Sequence, residues 1–97
     1  MTQESSKQDG NGKLGEIEYP LDFPIKVMGR REPQFVRNVI DIVRKHAPDF
    51  DESTVELRKS KKNTYLSVTC TIVAVSREQL DALYQELGDH PAVAMVL

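Results

Sequence analysis

Three short segments of this 97-residue chain hold the side chains best suited to meeting an anion. Gly29, Arg30 and Arg31 form the first, Arg58, Lys59, Lys61 and Lys62 the second, and His90 stands alone as the third. A glycine and two arginines just before a helix suit a carboxylate or a phosphate. Guanidinium groups meet two oxygens at once, the first-turn amides have no intrahelical partner, and glycine lets a ligand approach the backbone. Glu32 lies in the same stretch and offsets part of that field. Basic clusters on a surface are commonly no more than solvated, so the expectation depends on whether the fold brings the three segments together.

No other residues make a catalytic set. His46 and His90 fall at the ends of two different expected helices, at opposite ends of the sheet, and so cannot share a metal or form a relay. His46 in a last helical turn is favoured by the helix dipole and reads as a residue that caps or packs. Cys70 is the only cysteine, with the core-facing parity of a central strand, so a buried, inert thiol is expected and a disulfide is excluded. Asp49, Asp51 and Glu52 lack the glycine and terminal glutamate of a calcium loop and read as a solvated turn. Neither a metal nor a cofactor is implied.

Composition narrows the classes further. A net charge of −2 and a pI near 5.6 argue against a general nucleic-acid binder, whose domain is usually strongly basic. Residues 1–15 are almost wholly polar and cannot bury enough surface to offset their ordering, so they are expected to be a disordered tail before one domain at 16–97. That stretch lacks the apolar centre of a signal peptide, and no segment has the run of about 20 apolar residues of a membrane helix. With one cysteine, the chain reads as a soluble, cytoplasmic protein of a reducing compartment.

The segments that position these residues follow from hydrophobic periodicity. Residues 23–29 alternate as a half-buried strand. Pro33 suits a first helical turn, Val36, Val39, Ile40 and Val43 share one stripe, and Pro48 stops that helix near His46. Residues 54–59 form a second strand with Val55 and Leu57 inward, and Asn63 is the turn residue most tolerant of a left-handed backbone. In the long strand 65–75, Leu66, Val68, Cys70, Ile72 and Ala74 take one face. Ser76 and Gln79 make a capping box, Leu80, Leu83, Tyr84 and Leu87 form the next stripe, and Gly88 is the expected stop. Residues 92–97 make a last apolar strand, with Val93, Met95 and Leu97 expected inward.

The order β-α-β-β-α-β, with right-handed crossovers, gives an α+β ferredoxin-like sandwich. Four antiparallel strands lie in the order 4-1-3-2 with both helices on one face. This topology puts the loop after the first strand, the central hairpin and the loop after the second helix at one end of the sheet, so the three basic segments converge. The open face carries Met28, Tyr65, Ser67, Thr69, Thr71 and Val96, a mixed surface that could pair with another subunit. RNA recognition on this face would need two or three stacking aromatics, and only Tyr65 qualifies.

With the segments placed, "FPIKVMG" at 23–29, "HAP" at 46–48, "YLSVTCTIVA" at 65–74, "LYQELG" at 83–88 and the closing "VAMVL" resemble the YbeD family of small bacterial proteins over residues 21–97. That family is similar in fold to the ACT regulatory domain and carries a label as a lipoic-acid-binding regulatory protein. Where the family is expected to show glycine in the central hairpin, this chain has Asn63, which tolerates the same backbone region. The resemblance implies a non-catalytic regulatory or ligand-sensing module for a small anionic metabolite, lipoate-related or otherwise, since ACT domains bind effectors at the equivalent loop. The alternative is a protein-interaction adaptor using the open face or a sheet edge, with a second copy of the chain or an enzyme as partner. An acyl-phosphatase-like enzyme ranks third, because Asn38 and Asn63 are not placed for that chemistry.

Overall fold

A computed structural model describes residues 18–62 and 64–97. The polar segment 1–15 and the hairpin residue Asn63 lie outside the described residues. The elements are β1 (Leu21–Arg30), α1 (Phe35–His46), a 3₁₀ turn (Glu52–Thr54), β2 (Glu56–Lys59), β3 (Tyr65–Ala74), α2 (Arg77–Asp89) and β4 (Val93–Val96). The four strands pair antiparallel in the order β2-β3-β1-β4, which is the 4-1-3-2 sheet of the ferredoxin-like sandwich.

β1 and β3 form the spine, paired over ten residues from Leu21 opposite Ala74 to Arg30 opposite Tyr65. Their alternation sends Ile25, Val27, Leu66, Val68, Cys70, Ile72 and Ala74 under the helices, where all are buried. The helices answer with Phe35, Val39, Ile40 and Val43 from α1 and Leu80, Leu83 and Leu87 from α2. Each of these larger side chains contributes roughly 1.5–3 kcal/mol on burial, which is what holds two amphipathic helices to one face of the sheet.

The caps show how the helices are fixed in place. Ser76 Oγ accepts from the Gln79 amide at 3.0 Å, as the capping box requires. The return bond goes one residue further back: Gln79 Oε1 accepts from the Val75 amide at 2.7 Å, while Gln79 Nε2 donates to the carbonyl of His46 at 2.9 Å. One glutamine therefore closes the start of α2 and the end of α1. Helix α1 stops at His46 as expected, but it begins at Phe35, after Pro33, with no side-chain cap. Helix α2 passes through Gly88 to Asp89, because none of the described glycines adopts the positive φ that would terminate it there.

Two orientations differ from expectation. β4 meets β1 with Val96 opposite Val27, Met95 opposite Met28 and Val93 opposite Gly29, so the register shifts by one residue between Met28 and Gly29. The extra residue places Val93 and Val96 on the helix side and turns Met95 to the open face. Leu97 exchanges two backbone hydrogen bonds with Lys26, at 2.8 and 3.1 Å, and is likewise on the open face. Val96 is therefore not an open-face residue, and Met95 and Leu97 are not inward. Leu57 has the helix-side parity expected of it, opposite Val68, but is 55 % exposed because neither helix reaches over the edge strand β2.

Candidate functional site

The three basic segments meet as the topology requires. Beyond the Arg30–Tyr65 pair, the Arg31 amide donates to Thr64 O at 3.2 Å and the Arg30 amide to Ala92 O at 3.0 Å. The loop after β1, the β2–β3 hairpin and the turn after α2 are thus joined by backbone hydrogen bonds at one end of the sheet. Met28 is half-buried there, and Lys59, Lys61 and Lys62 are exposed on and beside the hairpin.

Several of these residues are occupied with structural tasks. Gly29 is buried, and a Cβ there would lie 2.5 and 2.6 Å from two ring carbons of Phe35 and would also collide with Ala92 O. The glycine makes room for the Phe35 ring, which fills the space where a ligand could otherwise approach the backbone. Arg30 Nε is 3.2 Å from Glu32 Oε2, and its terminal nitrogen donates to Pro91 O at 3.4 Å. His90 Nδ1 accepts from the Ala92 amide at 3.1 Å, which fixes the turn into β4.

The space that remains lies one step along, on the open face. A groove of about 210 Å³ runs between β1 and the hairpin, lined chiefly by Lys26, Met28, Arg58, Lys59, Tyr65 and Leu97. Its floor is almost wholly apolar, and three cationic side chains stand around it. Among the described residues, none of Lys26, Arg58 and Lys59 is in an ion pair. A second depression of about 290 Å³ continues past Arg58 to Glu56, Ser67 and Thr69. Thr71 lies further along the open face, opposite Pro24. Of the six chief groove residues, only Arg58 and Lys59 belong to the anion-binding set expected on the sequence. Met28 and Tyr65 are expected on the open face as interface residues, and Lys26 and Leu97 in neither set. Lys26 has the outward, open-face parity of the first strand but no basic neighbour in sequence, and Leu97 reaches the groove because of the β4 bulge.

The charges along α1 are neutralised by contrast. Glu52 binds Arg44 at 3.0 Å and Arg37 at 3.4 Å, and the hydrogen bond from Arg37 holds its carboxyl below the ordinary range. Asp51 accepts from the Ser53 hydroxyl and amide and thereby caps the 3₁₀ turn. His46 Nε2 lies 2.8 Å from Glu86 Oε1 and Lys45 Nζ 3.1 Å from Oε2, so the end of α1 is tied to α2. The first of these bonds, then the second, lowers the Glu86 carboxyl. Burial alone pushes the Cys70 thiol up to about 11, as for a core thiol with no partner.

No polar or charged residue is buried among the described residues, and no three His, Cys, Asp or Glu side chains there could hold a metal ion. No described helix is long and apolar enough to cross a membrane.

Comparison with known proteins places this geometry. The model of a family described as protein of unknown function (DUF493) matches residues 15–97. A UPF0250 protein of Nitrosomonas europaea is 58 % identical over 81 residues, covering 84 % of this chain and 93 % of that one. A UPF0250 protein of Bordetella pertussis is 52 % identical over the same length, covering 84 % and 89 %. Among solved structures, protein HP0495 of H. pylori superposes with a TM-score of 0.69 at 15 % identity, covering 84 % and 85 % of the two chains. The ACT domain of the GTP pyrophosphokinase of Chlorobium tepidum does so with a TM-score of 0.61 at 14 % identity, covering 80 % and 96 %. At these identities the structural likeness speaks for the fold, which is ACT-like.

Proposed function

The chain belongs to the DUF493 family, and we propose that it is a non-catalytic, ligand-sensing module that binds a small anionic metabolite at the basic end of its sheet. The observation that carries this reading is the groove on the open face. Lys26, Arg58 and Lys59 surround an apolar floor of Met28, Tyr65 and Leu97, with no carboxylate of the described residues paired to them. Such a surface offers charge-assisted hydrogen bonds to a carboxylate or phosphate and apolar area to the rest of the molecule. The ACT-like fold supports the same reading by analogy of fold alone.

Binding to the folded state raises the melting temperature by mass action, so a thermal-shift panel of inorganic phosphate, lipoate, octanoate and amino acids tests the assignment. At least one member raises Tm in the native chain, and Lys26→Ala with Arg58→Ala removes the shift. A panel with no effect, or an equal shift in the double variant, contradicts it.

A second reading has its own support. The β4 bulge turns Met95 and Leu97 outward, each at least half exposed, and adds them to Met28 and Tyr65 on the open face. An apolar face of this kind suits a protein partner. Loss of a stoichiometric partner from a native-host pull-down on Met95→Lys would favour an adaptor, and recovery of no partner by the unaltered chain would count against it.

A further inference from the structure

We propose that the free edge of β2 seats a second copy of this chain, in an antiparallel pairing whose two-fold axis passes through Leu57. The motive is the distribution of charge along residues 51–62. Asp51, Glu52 and Glu56 lie before Leu57, and Arg58, Lys59, Lys61 and Lys62 lie after it. An antiparallel neighbour related by a two-fold at Leu57 therefore sets the acidic half of each copy against the basic half of the other.

The backbone is compatible with that centre. The Ser60 amide donates to Tyr65 O at 3.0 Å, which fixes the phase of the β2–β3 ladder. In the antiparallel alternation the amides of Glu56 and Arg58 then point toward β3, and those of Leu57 and Lys59 point outward. At the proposed axis Leu57 exchanges both of its outward hydrogen bonds with its own copy. Glu56 falls opposite Arg58 of the other copy, and Arg58 opposite Glu56, at positions where side chains approach most closely. An axis at Glu56 or at Arg58 would keep the outward amides in phase but would set like charges against each other at its centre, so the charge pattern selects Leu57.

Packing gives the third argument. All four β2 residues are exposed, and Leu57 lies on the helix side of an edge that no helix covers. Pairing buries each Leu57 against the other and joins the two sheets into one of eight strands. The other edge offers no such match: β4 is interrupted by the bulge opposite Met28 and Gly29 and carries no charged side chain. Glu52 is already held by Arg37 and Arg44, so the two central Glu56–Arg58 pairs supply most of the selectivity. With only about five residues a side, the interface belongs to the small, transient class and should be sensitive to salt.

Sedimentation velocity on the full chain, from micromolar to millimolar concentration, tests this at low and high ionic strength. The chain dimerises with concentration and less so in high salt. Arg58→Glu puts like charges at both central pairs and weakens association by about tenfold or more. The exchange Glu56→Arg with Arg58→Glu rebuilds both pairs with their signs reversed and restores the dimer. A chain that stays monomeric to millimolar concentration overturns the proposal. So does an Arg58→Glu variant that associates as well as the native chain, or a folded charge exchange that does not recover.

Discussion

Substituting Gly29 by alanine puts a methyl group about where the edge of the Phe35 ring lies, against two ring carbons at 2.5 and 2.6 Å. The ring is fully buried and the opposing group is the backbone of Ala92, so little can give way. Gly29→Ala should lower stability by about 1–3 kcal/mol, the usual range for overpacking, and a urea unfolding midpoint measures it. Unchanged stability would mean that the ring has room to move. Cys70 makes the contrasting case. With its thiol pushed up to about 11 and its side chain fully buried, it should resist a thiol reagent at pH 8 until the chain unfolds. The native state holds that proton more tightly than the unfolded chain. The resulting stability is complete below the ordinary thiol pKa and is lost as pH rises through about 11. Alkylation at a rate independent of denaturant would contradict the burial. Cys70 was legible in the sequence because strict alternation along a central strand leaves one choice of face. Phe35 was not, because it stands ahead of the helical stripe and its role depends on a glycine six residues earlier in another element.

Among the elements, β4 shows most plainly what a pattern of residues cannot specify. In a run as apolar as "VAMVL", alternation assigns no face, and the one-residue bulge at Met28 and Gly29 decides that Val96 packs inward while Met95 does not. β2 fails for a different reason: Leu57 has the inward parity, but burial also needs a helix overhead, and at this edge Leu57 stays 55 % exposed. Removing residues 93–97 takes away the outer neighbour of β1 and the cover that Val93 and Val96 give the core. The truncated chain should lose cooperative unfolding in calorimetry, and a sharp transition would refute this. The link between α1 and α2 predicts an acid limb. Glu86, held low by His46 and then by Lys45, contributes stability that is present above the ordinary carboxylate pKa and is lost as pH falls through its folded value. Glu86→Gln should flatten the fall of Tm on the acid side, and an identical profile would show that the bonds contribute nothing measurable.

For the molecule as a whole, the topology was legible and the candidate site was legible only in outline. Periodicity, the Ser76–Gln79 capping box and the stop before Pro48 define β-α-β-β-α-β, and the right-handed crossover rule then leaves one arrangement that brings Arg30, Arg31, the hairpin lysines and His90 to one end. What the order of elements could not show is that Phe35 fills the space beside Gly29, that Glu32 and Pro91 occupy Arg30, and that the open cavity therefore sits over Lys26, Arg58 and Leu97. The three basic segments do meet at one end of the sheet, and the candidate groove lies beside them on its open face. The measurement that tests this account most directly is an amide NMR titration of the labelled chain with lipoate, octanoate, several amino acids and inorganic phosphate. The account predicts saturable shifts at Lys26 to Met28, at Arg58 to Ser60 and at Tyr65 to Ser67, carried by at least one of these anions. Absence of saturable shifts with every compound, or shifts confined to the α1–α2 side, would contradict it.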